Sequence, residues 1–366
     1  YYNPCRNPVF KSYLKISYAA YMSVNLTKFS KGGGCGCKID PATLDKLLKG
    51  LKPHGLFPDL LVGADFADDS AVYKLNSDQS LVVSTDFFTP IINDPFNFGR
   101  IAATNALSDI YAMGGSPILA LAVLGYPADK IHEETIRRIL EGGQSVCSNM
   151  GIPVGGGHSI DSNDLFYGLV AVGLVSNDNI KSNNQAKEGD HLILTKPLGI
   201  GILASAAKEL NAFDKKMEGV LIEATTQINS VGSKLAKIRG VNAMTDVTGF
   251  GLLGHLLEIC KGSDLSAKLN FDCIPMLEGA KKFAMHGVKT GAGARNWRSF
   301  KDSVILETNE EWKIDVLCDP QTSGGLLVTC DKSVSPGLVH TLSEDGFFHA
   351  QVIGFLKPGK PQIVVV

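Results

Sequence analysis

The sequence predicts an α+β protein of two domains, and three observations carry that prediction. At roughly 150 residues per domain, 366 residues make about two. Apolar strand-like runs and 3.6-periodic segments mix through both halves without the strict β-α-β order of a doubly wound sheet. A polar stretch, NDNIKSNNQAKEGD over 177–190, interrupts them in the manner of a linker and places the division near 186–190. The chain therefore divides into a leader and flexible glycine-rich arm (1–44), a first α+β domain (45–187) and a second (188–366).

The elements follow in order. Residues 30–38, SKGGGCGCK, are expected to form a mobile loop, because three consecutive glycines order poorly. A helix follows, with Asp40 as N-cap, Pro41 in its first turn and Leu44, Leu47, Leu48 and Leu51 on one apolar face. LLVG (60–63), SAVYKL (70–75) and SLVVSTDFF (80–88) read as strands, and 97–113 as a helix with Ile101, Leu107, Ile110 and Tyr111 on one side. ILALAVLG (118–125) reads as a buried strand, about 130–150 as a helix ended by Gly151, and IPVGGG (152–157) and LFYGLVAVGLV (165–175) as strands. In the second half, HLILTK, VNAMTD, SAKLNF, GGLLVT and the terminal IVVV are strand-like; GILASAAKEL, 217–238 and GLLGHLLEIC are helical.

Composition excludes several classes of function. Lys plus Arg number 35 against 37 acidic residues, a net charge of −2 that suits neither a nucleic-acid coat nor a basic membrane-surface protein. No apolar run approaches the ~20 residues of a membrane span. The eight cysteines show no disulfide framework, which implies a reducing, cytoplasmic setting, with Cys147, Cys260 and Cys318 as buried fillers. Every charge before Asp40 is basic. Residues 1–21 lack the apolar core of a signal peptide and read as an upstream leader with Met22 as a natural start, an organellar transit remnant being the alternative.

Glycine is the outlier, with 39 residues clustered in short loops. KGGGCGCK fails the Walker spacing, since Cys37 replaces the second Gly and Ile39 the Ser/Thr. GIGILA (199–204) fits G-x-G-x-x-A, but Pro197 interrupts the turn and no strand-terminal acid follows about 20 residues on, which argues against dinucleotide binding. GGGHSI (155–160) follows a strand; its consecutive backbone N–H groups suit phosphate oxygens, and His158 is either a ligand or polar filler.

Acidic residues share a local grammar: an Asp at a strand end or on a helix beside a glycine loop. The cases are Asp68-Asp69, Asp86 and Asp246, with Asp109 four residues after Asn105 and on the same helical face. Singly, each is a common turn or cap residue; converging, they would bind a hard cation such as Mg²⁺ bridged to phosphate. Cys35-Gly36-Cys37-Lys38 is the sharpest feature. An adjacent lysine lowers a thiol's pKa, and a mobile arm would carry either group to a site on the folded body. The bland reading is an exposed loop with incidental cysteines, and zinc lacks a second Cys/His pair.

Together LTKFSKGGGCGCKI, ADDSAVY, STDFFTPIINDPFNFGRIAATNALSDIYAMGG, GGGHSID, LTKPLGIG, AMTDVTGFGLLGH and CDPQTSGGLL resemble the selenophosphate synthetase family, within the aminoimidazole ribonucleotide synthetase-like superfamily. The resemblance runs from about residue 25 to the C-terminus, and GCGCK separates this family from others of the superfamily. It implies conversion of ATP, selenide and water to selenophosphate, AMP and phosphate, with Mg²⁺ and K⁺. It implies Cys35 and Lys38 as catalytic residues, and Asp69, Asp86, Asp109 and Asp246 as metal ligands. It implies ATP contacts from Lys38, Asp86, Asn105, Gly155, Gly156, Gly157, His158 and Ser159. It also implies a homodimer whose N-terminal domains pair into a barrel, and a selenium-delivery protein as partner, without nucleic acid or membrane. The alternatives are another small-molecule kinase or synthetase of the superfamily, against which intact GCGCK argues, and a non-catalytic ATP-binding regulator, against which Cys35, Lys38 and the four aspartates argue.

Overall fold

The structure, a computed structural model, describes residues 25–29, 32–39, 41–48, 57–63, 68–209, 215–307 and 310–366. The leader 1–21, Met22, the Asp40 cap and Leu51 lie outside the described residues.

After a short helix α1 (Pro41–Leu48), the first unit is built from β1 (Leu60–Val62), β2 (Ala71–Lys74), β3 (Gln79–Phe88), α2 (Pro95–Ala112), β4 (Ser116–Tyr126), α3 (Glu133–Asn149), β5 (Val154–Asp161) and β6 (Phe166–Ser176). Its sheet runs β1-β2-β3-β6-β4-β5, antiparallel except for the parallel β4–β5 pair at one edge. Helices α2 and α3 cover one face. Asp94 starts α2 by accepting from Asn97 N–H at 2.7 Å, with Pro95 in the first turn. From Ile101 onward α2 is buried throughout, so its polar residues Asn105, Ser108 and Asp109 must find polar partners inside the protein.

The second unit contains β7 (His191–Leu194), α4 (Ile200–Glu209), α5 (Lys215–Thr226), α6 (Gly232–Leu235), β8 (Val241–Asp246), α7 (Gly251–Ser263), β9 (Leu265–Leu269), α8 (Ala280–Met285), α9 (Gly291–Phe300), β10 (Val304–Leu306), α10 (Glu311–Leu317), β11 (Leu326–Cys330), α11 (Ser335–Glu344), β12 (Gln351–Pro358) and β13 (Ile363–Val365). Its seven-stranded sheet is ordered β10-β13-β9-β12-β7-β11-β8. The two units share a core, since Ile200, Leu203 and Leu221 from α4 and α5 pack into the cluster that contains α2.

Several expectations are corrected. The single helix over 217–238 is two, because tertiary hydrogen bonds replace the helical ladder between them. Gln227 O takes the Lys196 ammonium at 2.5 Å, and Asn229 Nδ2 donates to Ser108 Oγ and Gly324 O, both at 2.8 Å. Strand β4 is not buried on both faces; Ile118 and Leu121 are exposed, as are Tyr73 and Phe87 on the sheet surface away from α2 and α3. The apolar face expected of α1 is not packed at Leu47, which is exposed. Cys147, Cys260 and Cys318 are buried, and all seven described cysteines carry free thiols. Among the described residues no helix is long and apolar enough to cross a membrane.

Candidate active site

Three carboxylates converge where the units meet. Asp69 precedes β2, Asp109 lies on α2 and Asp246 ends β8, and one oxygen from each falls within 4.8 Å of the others. Thr245 Oγ1 donates to Asp69 Oδ1 at 2.8 Å, and Ser84 Oγ donates to Asp109 Oδ2. Asp69 Oδ2 and Asp246 Oδ2 are buried with no hydrogen-bond donor. Burial first, and then mutual repulsion, holds the Asp69 and Asp109 carboxyls well above the usual carboxylate range; burial also raises Asp246. Clustered acids with orphaned oxygens are a donor set that fits a hard divalent cation.

Asp86 stands beside this group and has other partners. Its Oδ2 accepts from Asn105 Nδ2 at 2.6 Å and from Lys38 Nζ at 3.2 Å. Burial alone would lower the Lys38 pKa, but Asp86, with Cys35, Asp109 and Asp246 behind it, raises it on balance, so this ammonium stays charged.

The glycine arm is not a free loop here; it is seated on the body. Gly34 N–H donates to Thr89 O at 2.8 Å and Thr89 Oγ1 donates to Gly32 O at 2.8 Å. Residues Cys35–Cys37 make one 3₁₀ turn. A Cβ at Gly249 would sit 2.7 Å from Cys35 O, so only glycine there lets the arm lie flat on the chain after Asp246. Cys35 is fully buried, and its thiol donates to Asn105 Oδ1 at 3.2 Å. The expected low thiol pKa is overturned. Burial and then Asp86 push the Cys35 thiol well up, and Lys38 opposes them without prevailing. Cys37 is exposed, and with Gly36 and Arg295 it lines a cleft of about 970 Å³ between the units.

The 155–159 segment stands apart. Its glycines lie within edge strand β5, as the strand expected over 152–157 implies, and the strand runs on through His158 and Ser159 with the segment exposed. Asp86, Leu169, Ala122 and Gly157 form one row across four strands, so Gly157 is about 14 Å from Asp86 at ~4.8 Å per strand. His158 pairs in the adjacent row with Val123, Gly168 and Phe87, on the open face of the sheet.

Sequence reasoning missed the second unit's contribution to Cys35. Thr322 Oγ1 accepts from Cys35 N–H at 3.0 Å, Ser323 N–H donates to Asn105 Oδ1 at 2.7 Å, and Arg295 Nη2 donates to Gly36 O at 3.1 Å. The CDPQTSGG run was the only available signal, and its separation from the arm hides the contact.

Comparisons with known proteins bear on the family and the fold. Residues 67–175 match the family model for the AIR synthase related protein N-terminal domain, and 187–366 the model for its C-terminal domain. The selenide, water dikinase of Pseudomonas straminea is 52% identical over 342 residues, spanning 93% of this chain and 96% of its own. That of Dechloromonas aromatica (strain RCB) is 50% identical over 344 residues, spanning 94% and 99%. Among solved structures, the thiamine-monophosphate kinase from Stenotrophomonas maltophilia K279a shares the fold at TM-score 0.60 and 20% identity, over 84% of this chain and 91% of its own. The hydrogenase maturation protein HypE in complex with ATP does so at TM-score 0.62 and 16% identity, over 93% and 94%.

Proposed function

The chain belongs to the selenide, water dikinase family, and on that premise we propose that it makes selenophosphate, AMP and phosphate from ATP, selenide and water. The observation that carries the reading is the seat of Cys35 and Lys38 beside converging Asp69, Asp109 and Asp246.

Each group then has a task. Asp69, Asp109 and Asp246 would hold Mg²⁺, which when bound neutralises polyphosphate charge during phosphoryl transfer. Asp86 keeps Lys38 charged and presents its ammonium to a phosphate oxygen. The Cys35 thiol, protonated in its buried seat and held by its hydrogen bond to Asn105 Oδ1, positions selenide. Burial of Cys35 shields the thiol itself from bulk water.

Family membership supports K⁺ as a second ion and a selenium-delivery protein as partner. It also supports a homodimer, with the open face bearing Tyr73, Phe87, Ile118 and Leu121 as the contact surface. In that dimer Gly155, Gly156, Gly157, His158 and Ser159 on edge strand β5 reach ATP at the interface. Sedimentation at micromolar protein tests this: Phe87→Asp should give monomers, and an unaltered protein that is already monomeric sinks it. A domain division at 187/188 is supported by the gap between β6, ending at Ser176, and β7, starting at His191. The free thiols support a reducing, cytoplasmic setting.

The decisive experiment is AMP release from ATP and Mg²⁺ with and without selenide, with selenophosphate followed by phosphorus NMR. Selenide-dependent AMP in equal amount to selenophosphate is expected, reduced to background in Cys35→Ser. Selenide-independent turnover, or an undiminished Cys35→Ser variant, overturns the reading.

A further inference from the structure

The groups that hold Cys35 come from the opposite end of the chain. Its backbone N–H is taken by Thr322 Oγ1 at 3.0 Å. Its thiol faces Asn105 Oδ1 at 3.2 Å, and that amide oxygen also accepts from Ser323 N–H at 2.7 Å. With Asn105 Nδ2 donating to Asp86, the Ser323 N–H fixes which end of the amide meets the sulfur. Residues 322 and 323 therefore set both the height of the Cys35 backbone and the acceptor of its thiol.

This turn is rigid and supported from beneath. Ser323 sits at φ 52°, a left-handed conformation that persists in a non-glycine residue only when its surroundings impose it. Lys196 imposes it, donating from Nζ to Ser323 O at 2.9 Å and to Gln227 O at 2.5 Å. Two residues further back, Gln321 Oε1 accepts from Gly199 N–H at 3.1 Å and Ile200 N–H at 3.2 Å, which ties the turn to the start of α4. Thr322 and Ser323 are buried. From the arm side, Gly34 is at φ 55°, and a Cβ there would collide with Thr322 Oγ1 and with Ile91. The arm and the turn are thus fitted to each other at a single hydroxyl.

We propose that Thr322 is a positioning residue for the reaction, the hydroxyl on which the arm docks so that Cys35 is buried and aimed at Asn105, with Ser323 and Lys196 holding that hydroxyl in place. The proposal rests on Cys35 as the reacting thiol. It makes the second domain part of the catalytic apparatus in each turnover, since the arm cannot seat without it.

The test follows two readouts on the full chain. One is alkylation by iodoacetamide, with Cys35 resolved from Cys37 by fragment-ion mapping; the other is the kcat and ATP KM of selenide-dependent AMP formation. In the unaltered protein Cys37 alkylates and Cys35 resists. Thr322→Val removes the acceptor at constant volume. It should speed Cys35 alkylation about tenfold or more and lower kcat about tenfold, with ATP KM within about threefold. Thr322→Ser should restore both readouts. Gly34→Ala, whose Cβ would collide with Thr322 Oγ1 and Ile91 and so lift the arm, should reproduce the Val phenotype from the arm's side of the contact. The proposal is overturned if Gly34→Ala or a folded Thr322→Val leaves Cys35 as resistant as before, or if Thr322→Ser fails to rescue. An unaltered protein without selenide-dependent turnover would instead overturn the assigned reaction, and alkylation would still decide the seat.

Discussion

Lys38 Nζ lies 3.2 Å from Asp86 Oδ2, an oxygen that also accepts from Asn105 Nδ2 at 2.6 Å. One carboxylate oxygen thus ties the arm to β3 and α2, and it keeps the ammonium charged in surroundings that would otherwise discharge it. Lys38→Met should lower the selenide-dependent kcat by about 10²-fold or more, the scale of losing a preorganised charge at a reacting phosphate. Thermal unfolding should shift little, because the lysine is partly exposed. A variant with wild-type kcat would remove Lys38 from the chemistry.

The carboxylate cluster should behave as a site that costs stability until it is filled. Asp69 Oδ2 and Asp246 Oδ2 are buried without donors, and Asp69 is raised by burial and then by Asp246. Asp69→Asn should therefore raise the melting temperature of the metal-free protein at pH 8 by a few degrees, while Mg²⁺ should stabilise only the unaltered chain. Calorimetric scans with EDTA and with millimolar Mg²⁺ check both. Equal stabilisation of the two proteins by Mg²⁺ would place the ion elsewhere.

The same cluster sets a pH dependence. Asp69, Asp109 and Asp246 hold their protons above the ordinary value of 3.8, so above that pH the metal-free fold binds more protons than the unfolded chain. Stability contributed by these groups is then present near pH 4 and is lost as pH rises through their folded-state values. Urea titrations in EDTA should show Asp69→Asn overtaking the unaltered protein as pH rises from 5 to 8, with the difference shrinking towards pH 4. A difference independent of pH would contradict this.

Much of the site was legible because it is local. Asn105 and Asp109 share a face of α2 through the four-residue spacing alone, and Asp86 and Asp246 end or near the ends of apolar strands whatever those strands pair with. The glycine arm was harder to read. Its composition predicts mobility, but composition says nothing of Thr89, Gly249 and Thr322, which give its backbone partners and a surface to lie on. The strand expected over 152–157 includes the three glycines, and β5 carries it on to Asp161 at the sheet edge.

By itself the sequence determined the elements and the chemical inventory: a two-domain α+β chain, a Cys-Gly-Cys-Lys arm and acids at strand and helix positions. Only the tertiary structure decided which of these groups meet. Asp69 and Thr245 are 176 residues apart and Cys35 and Thr322 are 287 apart, distances over which no periodicity carries information. It also decided the state of the thiol. A nearby lysine lowers a cysteine's pKa in water, but Cys35 is buried where the arm meets the body, beside Asp86, and there the cost of desolvating a thiolate exceeds the attraction of Lys38.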